Sequence, residues 1–149
     1  MSKDLRILLI VVPATATALL AASWYLGPVG DANGFFGDSV GLLFLFWAAT
    51  TMAASAAPVH MPRGPVVSVS AAPIIAASIL MGPFGGGMVG ALGTFEVREL
   101  RGEVPWYGVL YNHSIAAIAA VLAGATYALV AQGWSVASPM GLLGGVVAG

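Results

Sequence analysis

Charge in this chain is confined to four short clusters, and that spacing constrains the fold more than any motif. The five basic and six acidic residues sit at 3–6, 31–38, 63 and 96–103. Between them, residues 7–30, 39–62, 64–95 and 104–149 carry no formal charge. Two of these stretches have about the length of one membrane-spanning helix, roughly 20 residues for a hydrocarbon core of about 30 Å. The other two are long enough for a pair each. A water-soluble fold has no way to bury that much apolar surface in 149 residues. The expectation is an all-α integral membrane protein, a single-domain polytopic bundle of five to six transmembrane helices.

Composition narrows the function classes. Charged residues make up 7% and the net charge is −1, so no basic surface invites a nucleic acid. Cysteine is absent, which excludes disulfides, thiolate metal sites and cysteine nucleophiles. Twenty glycines suit close helix–helix packing, because helices in lipid associate through backbone approach at small residues. Lys3 and Arg6 before an apolar run, with Ala16-Thr17-Ala18 beyond, imitate a secretory signal. The run continues to Leu26, so an uncleaved first span is expected.

The expected spans are 7–26, 39–57, 66–81, 85–100 and 107–131, with a partial or re-entrant segment at 136–149 or a chain that continues beyond it. Pro13 is placed to kink the first span, and Trp24 and Tyr25 suit its interfacial end. Residues 58–65, with His60 and Arg63 among three prolines, read as a stiff turn. Region 64–95 is too long for one span and short for two. Met81-Gly82-Pro83 interrupts it, and reading it as a hairpin returns Arg63 and Arg98 to one side. All five basic residues (Lys3, Arg6, Arg63, Arg98, Arg101) then share one face, which places the amino terminus in the cytoplasm.

Three constellations stand out. Gly86 and Gly90 form a GxxxG pair that Gly93 extends. This predicts a groove for a neighbouring helix, with an anion-binding half-helix terminus as the alternative. Glu96, Arg98, Glu99, Arg101 and Glu103 read as a solvated cytoplasmic helix end, glutamates on one face and arginines on another. Asn112 and His113 are polar groups inside an apolar span, where they cost free energy unless hydrogen-bonded. Both are expected to face the interior and bond across to Ser68, Ser70 or Ser78. His113 is also the single candidate ligand for a haem or chlorophyll-type metal. No nucleophile-elbow pattern occurs, so no catalytic residue is expected.

The order of features from Val66 to Val130 adds a resemblance. A serine-bearing helix (Val67-Ser68-Val69-Ser70) leads to Met81-Gly82-Pro83 and a Gly/Ala helix. A charged turn follows, then Pro105-Trp106-Tyr107, then Tyr111-Asn112 opening an Ala-rich helix. This resembles the multi-span sensory region of bacterial signalling proteins that carry HD-GYP phosphodiesterase or GGDEF cyclase domains. It is also similar to the S-components of energy-coupling-factor vitamin transporters. Neither a His-Asp pair nor a Gly-Tyr-Pro run occurs in this chain. The resemblance therefore implies a non-catalytic module of the bacterial cytoplasmic (inner) membrane, acting as sensory input or accessory subunit. Expected partners are the lipid bilayer and other membrane subunits or further copies of the chain, and no cofactor is named. A small-molecule-binding subunit of a transporter and a structural subunit of a pigment or redox complex are the alternatives.

Overall fold

The computed structural model describes residues 3–26, 39–57, 59–60, 66–67 and 69–131. These form six α-helices and one minimal β-ladder: α1 (Lys3–Leu26), α2 (Val40–Ala56), β1 (Val59–His60), β2 (Val66–Val67), α3 (Ala71–Leu80), α4 (Gly82–Gly93), α5 (Val97–Leu100) and α6 (Trp106–Val130). The fold is helical. The expected loop at 27–38, the segment 136–149, Arg63 and Ser68 lie outside the described residues.

Helices α1 and α6 are each long and apolar enough to cross a membrane. At 1.5 Å per residue they measure about 36 and about 38 Å. Pro13 does not interrupt α1, and Asp4 in its first turn complements the helix dipole. Hydroxyls along the helices bond to their own backbone. Thr15 donates to the Val11 carbonyl, Thr51 to Trp47, Ser78 to Ile74 and Ser114 to Leu110, at 2.7–2.9 Å. Such bonds satisfy a hydroxyl where neither water nor a neighbouring helix offers an acceptor.

The hairpin differs from expectation in its boundaries. Val66 and Val67 are extended and pair antiparallel with His60 and Val59. Adjacent β-branched residues favour this conformation, and α3 begins only at Ala71. Pro83 marks the first turn of α4 rather than a loop, since a helix needs no N–H there. The bend is made by Met81, whose N–H bonds to the Ala77 carbonyl, and by Gly82 at φ 73°, a left-handed conformation that glycine adopts without strain. At the other end α4 stops at Gly93, so the expected 85–100 helix is broken at residues 94–96 and resumes as the short α5. The two arms are about 15 and about 18 Å long, short of the roughly 30 Å hydrocarbon core.

Helix α4 is the centre of the bundle, touching α1, α2, α3 and α6. Its glycines permit this. A Cβ at Gly90 would lie 2.8 Å from the Ala116 carbonyl oxygen of α6. At Gly93 it would lie 2.8 Å from Thr51 Cβ of α2, and at Gly87 2.7 Å from Leu20 Cδ2 of α1. Gly86 sits directly against Ser78 of α3. Leu43, Ile74, Ala77, Met81, Val89 and Ala120 make the buried cluster around this helix.

The same contacts give helix direction. Along α4, Phe84 meets Trp24 and Gly87 meets Leu20, so α1 is antiparallel to it. Pro83 meets Gly124, Gly87 meets Val121 and Gly90 meets Ala116, so α6 is antiparallel too. The starts of α1 and α6 and the end of α4 therefore share one end of the bundle. Lys3, Arg6, Arg98 and Arg101 all belong to that end.

Candidate functional site

The break at residues 94–96 builds the one buried ionisable pair among the described residues. Thr94 ends α4, its hydroxyl donating to the Gly90 carbonyl at 2.9 Å. The chain then turns, and α5 swings the Glu99 carboxylate inward. Glu99 Oε2 accepts the Glu96 backbone N–H at 3.4 Å, which fixes the turn, and lies 3.1 Å from His113 Nε2 on α6. The Glu99 side chain is 4% exposed and that of His113 12%.

The other face of the imidazole is equally occupied. His113 Nδ1 bonds to the Ala91 carbonyl of α4 and lies 3.4 Å from Thr94 Oγ1. The Phe95 ring stands edge-on to it, centroids 4.7 Å apart. A carbonyl only accepts, so Nδ1 carries a hydrogen. The bond between Nε2 and Oε2 then needs one further proton, held by either partner. His113 thus ties α6 to the end of α4 and to α5 at once.

Arg98, Arg101 and Glu103 point outward. Arg98 Nε lies 3.7 Å and Arg101 Nη1 4.0 Å from the Glu103 carboxylate, all largely exposed. Gly102, at φ 70°, and the Glu103 N–H to Arg98 carbonyl bond close this turn. The expected array of three glutamates on one helical face is therefore corrected. Glu99 is buried against His113, whereas Glu103 is exposed between two arginines. The periodicity fails because Glu96 lies in the break before α5, and the chain leaves α5 after Leu100 and turns at Gly102 ahead of Glu103.

Asn112 is a second correction. It is exposed, whereas its neighbour His113 points inward. Successive helical residues lie about 100° apart, and the face α6 turns to the bundle holds His113, Ser114 and Ala117 instead. Ser78 does not meet His113 either, its hydroxyl being spent on Ile74; Ser70 precedes α3, its carbonyl accepting the Ile74 N–H. Ala91, Thr94 and Phe95, which complete the His113 surroundings, carry no sequence signal of such a role. As a metal ligand His113 is poorly placed, because both ring nitrogens are engaged. A haem iron or chlorophyll magnesium would have to displace Ala91 or Glu99. Among the described residues no group of three or more His, Asp or Glu side chains converges.

Near the opposite end a cavity of about 540 Å³ opens between α1, the hairpin bend and α6, walled by Leu19, Ala22, Pro83, Val121 and Ala125. Its lining is almost wholly apolar. Tyr127 borders it, but its buried hydroxyl has no partner among the described residues. Compared with known protein families, curated proteins and solved structures, the chain finds no match.

Proposed function

We propose that this chain is an integral membrane module without catalytic activity, a sensory input or accessory subunit of a larger assembly in a bacterial inner membrane. In this reading α1, α2 and α6 cross the bilayer, the α3–α4 hairpin reaches into it, and the amino terminus is cytoplasmic.

The observation that carries the reading is the surface of α1. Among its described side chains only Ala16 is buried, while Ile7, Ile10, Val11, Trp24 and Tyr25 are all more than half exposed. Leu42, Leu45 and Phe46 on α2 and Ile115, Leu122 and Leu129 on α6 are exposed as well. In water so broad an apolar surface is unfavourable, at about 25 cal/mol per Å². In lipid it costs nothing. The gathering of Lys3, Arg6, Arg98 and Arg101 at one end supports a cytoplasmic placement of that end. The shortage of titratable side chains supports a non-catalytic role, since acid, base and nucleophile chemistry all require them.

The test is purification of the intact assembly in mild detergent, with identification of what accompanies the chain. A stoichiometric second chain, or a defined homo-oligomer, is expected. A monomer that carries a tightly bound small molecule instead supports the transporter-subunit reading, which the apolar cavity favours. A co-purifying chromophore lost in His113→Ala overturns both.

A further inference from the structure

We propose that the apolar cavity beside Tyr127 binds an uncharged lipophilic carbonyl compound taken from the bilayer, with the Tyr127 hydroxyl donating to its carbonyl oxygen. This deepens the reading of the chain as a membrane input module, on which it rests, by naming the class of molecule the module receives.

The walls of the cavity are braced apart. Gly124 seats α6 on the hairpin bend so closely that a Cβ there would lie 2.9 Å from Pro83 Cα. Phe84 meets Trp24 with ring centroids 4.8 Å apart, which fixes α1 to the same bend. Between these contacts the facing side chains are small, Ala22 on α1 and Ala125 and Ala128 on α6, and they leave a space of about 540 Å³. Small-molecule sites span roughly 300–1,000 Å³ and combine apolar walls with a few polar groups. An apolar body that enters gains dispersion contacts that the walls are too far apart to make with each other.

The polar groups on the walls select the ligand. Ser23 and Ser78 line the cavity too, but their hydroxyls donate at 2.9 Å to the Leu20 and Ile74 carbonyls of their own helices. Tyr127 is only 8% exposed, and its hydroxyl has no partner among the described residues. It is the unspent side-chain donor of the wall, and a carbonyl oxygen is the acceptor that complements it. Lys3, Arg6, Arg98 and Arg101 belong to the far end of the bundle, so none of them offsets the burial of an anion here. Ala22 and Leu129 on the rim are exposed, so the mouth opens between α1 and α6 onto the surface that the membrane reading assigns to lipid.

The probe for the test is benzophenone, a two-ring ketone whose photoexcited carbonyl forms covalent bonds at nearby C–H groups. The full chain is reconstituted in vesicles of ether-linked phosphatidylcholine, which has no ester carbonyl. It is illuminated over a range of probe concentrations, and the adducts are mapped by mass spectrometry. Saturable adducts should concentrate on Leu19, Ala22 and Leu129. Tyr127→Phe should raise the half-saturating concentration about tenfold, the scale of one hydrogen bond, with thermal unfolding no lower than in the wild type. Diphenylmethane has the same two rings without the oxygen, and should protect these positions only at about tenfold higher mole fraction in the bilayer than half-saturating benzophenone. Ester-linked phosphatidylcholine then separates the two sources of such a carbonyl. Suppressed labelling marks the lipid ester as the occupant and unchanged labelling a free ketone or quinone, and either sustains the site. Adducts spread evenly over the exposed faces of α1, α2 and α6 overturn the proposal, as does a Tyr127→Phe chain that labels like the wild type. Whether the chain purifies with a stoichiometric second chain is read separately and bears on the module reading alone.

Discussion

Gly90 of α4 meets Ala116 of α6 backbone to backbone, so closely that a Cβ would stand 2.8 Å from the Ala116 carbonyl oxygen. A carbonyl in a helix cannot rotate aside as a side chain would. Gly90→Leu should therefore separate α4 from α6 and lower stability by about 1–3 kcal/mol or more. Gly41, on α2, is the matched control, with nothing within 4 Å of its added Cβ. Gly41→Ala should raise stability by about 0.5–1 kcal/mol through helix propensity. Thermal unfolding in mild detergent reads both, and equal effects from the two variants contradict the close approach.

Tyr127 tests the interior from the other side. Its ring is buried on α6, yet its hydroxyl is unpartnered among the described residues. An unpaired buried hydroxyl costs about 1–3 kcal/mol. Tyr127→Phe should consequently leave stability unchanged or raise it. A clear loss of stability means that the hydroxyl has a partner outside the described residues.

The charged turn divides into groups of unequal weight. Arg98 lies in an exposed pair, so Arg98→Ala should cost less than about 1 kcal/mol. Glu99→Ala leaves the buried His113 Nε2 without its partner and should cost about 1–3 kcal/mol. The ranking of these neighbours in one unfolding series is the check. A larger loss from Arg98→Ala would reverse the assignment of inner and outer faces.

The helical fold and the hairpin were legible in the sequence. Charge-free stretches of span length mark the long helices, and Met81-Gly82-Pro83, a helix breaker beside a conformationally permissive residue, marks the bend. That Gly86, Gly90 and Gly93 make close contacts could also be read from their small size, but the expected single groove could not hold: they meet Ser78 of α3, Ala116 of α6 and Thr51 of α2 in turn. What could not be read was where α4 stops. Its last residue is Gly93, but α4 holds several further glycines in its interior, so glycine alone does not mark the end; beyond it Glu99 turns back to accept the Glu96 N–H. Helical periodicity carried through that break puts Glu99 on the wrong face. The pairing of Glu99 with His113 is a tertiary event between separate elements, invisible to local pattern. The 100° between Asn112 and His113 does appear in the sequence, but which of the two turns inward depends on where α4 lies.

The central claim is that this bundle sits in a membrane with its basic end on the cytoplasmic side. Single cysteines at Leu100 and at Tyr25 test it most directly, since both positions are exposed and lie at opposite ends. In intact cells a membrane-impermeant maleimide should label Tyr25→Cys and spare Leu100→Cys, and in inverted vesicles the pattern should reverse. Labelling of both positions from the same side would contradict the account.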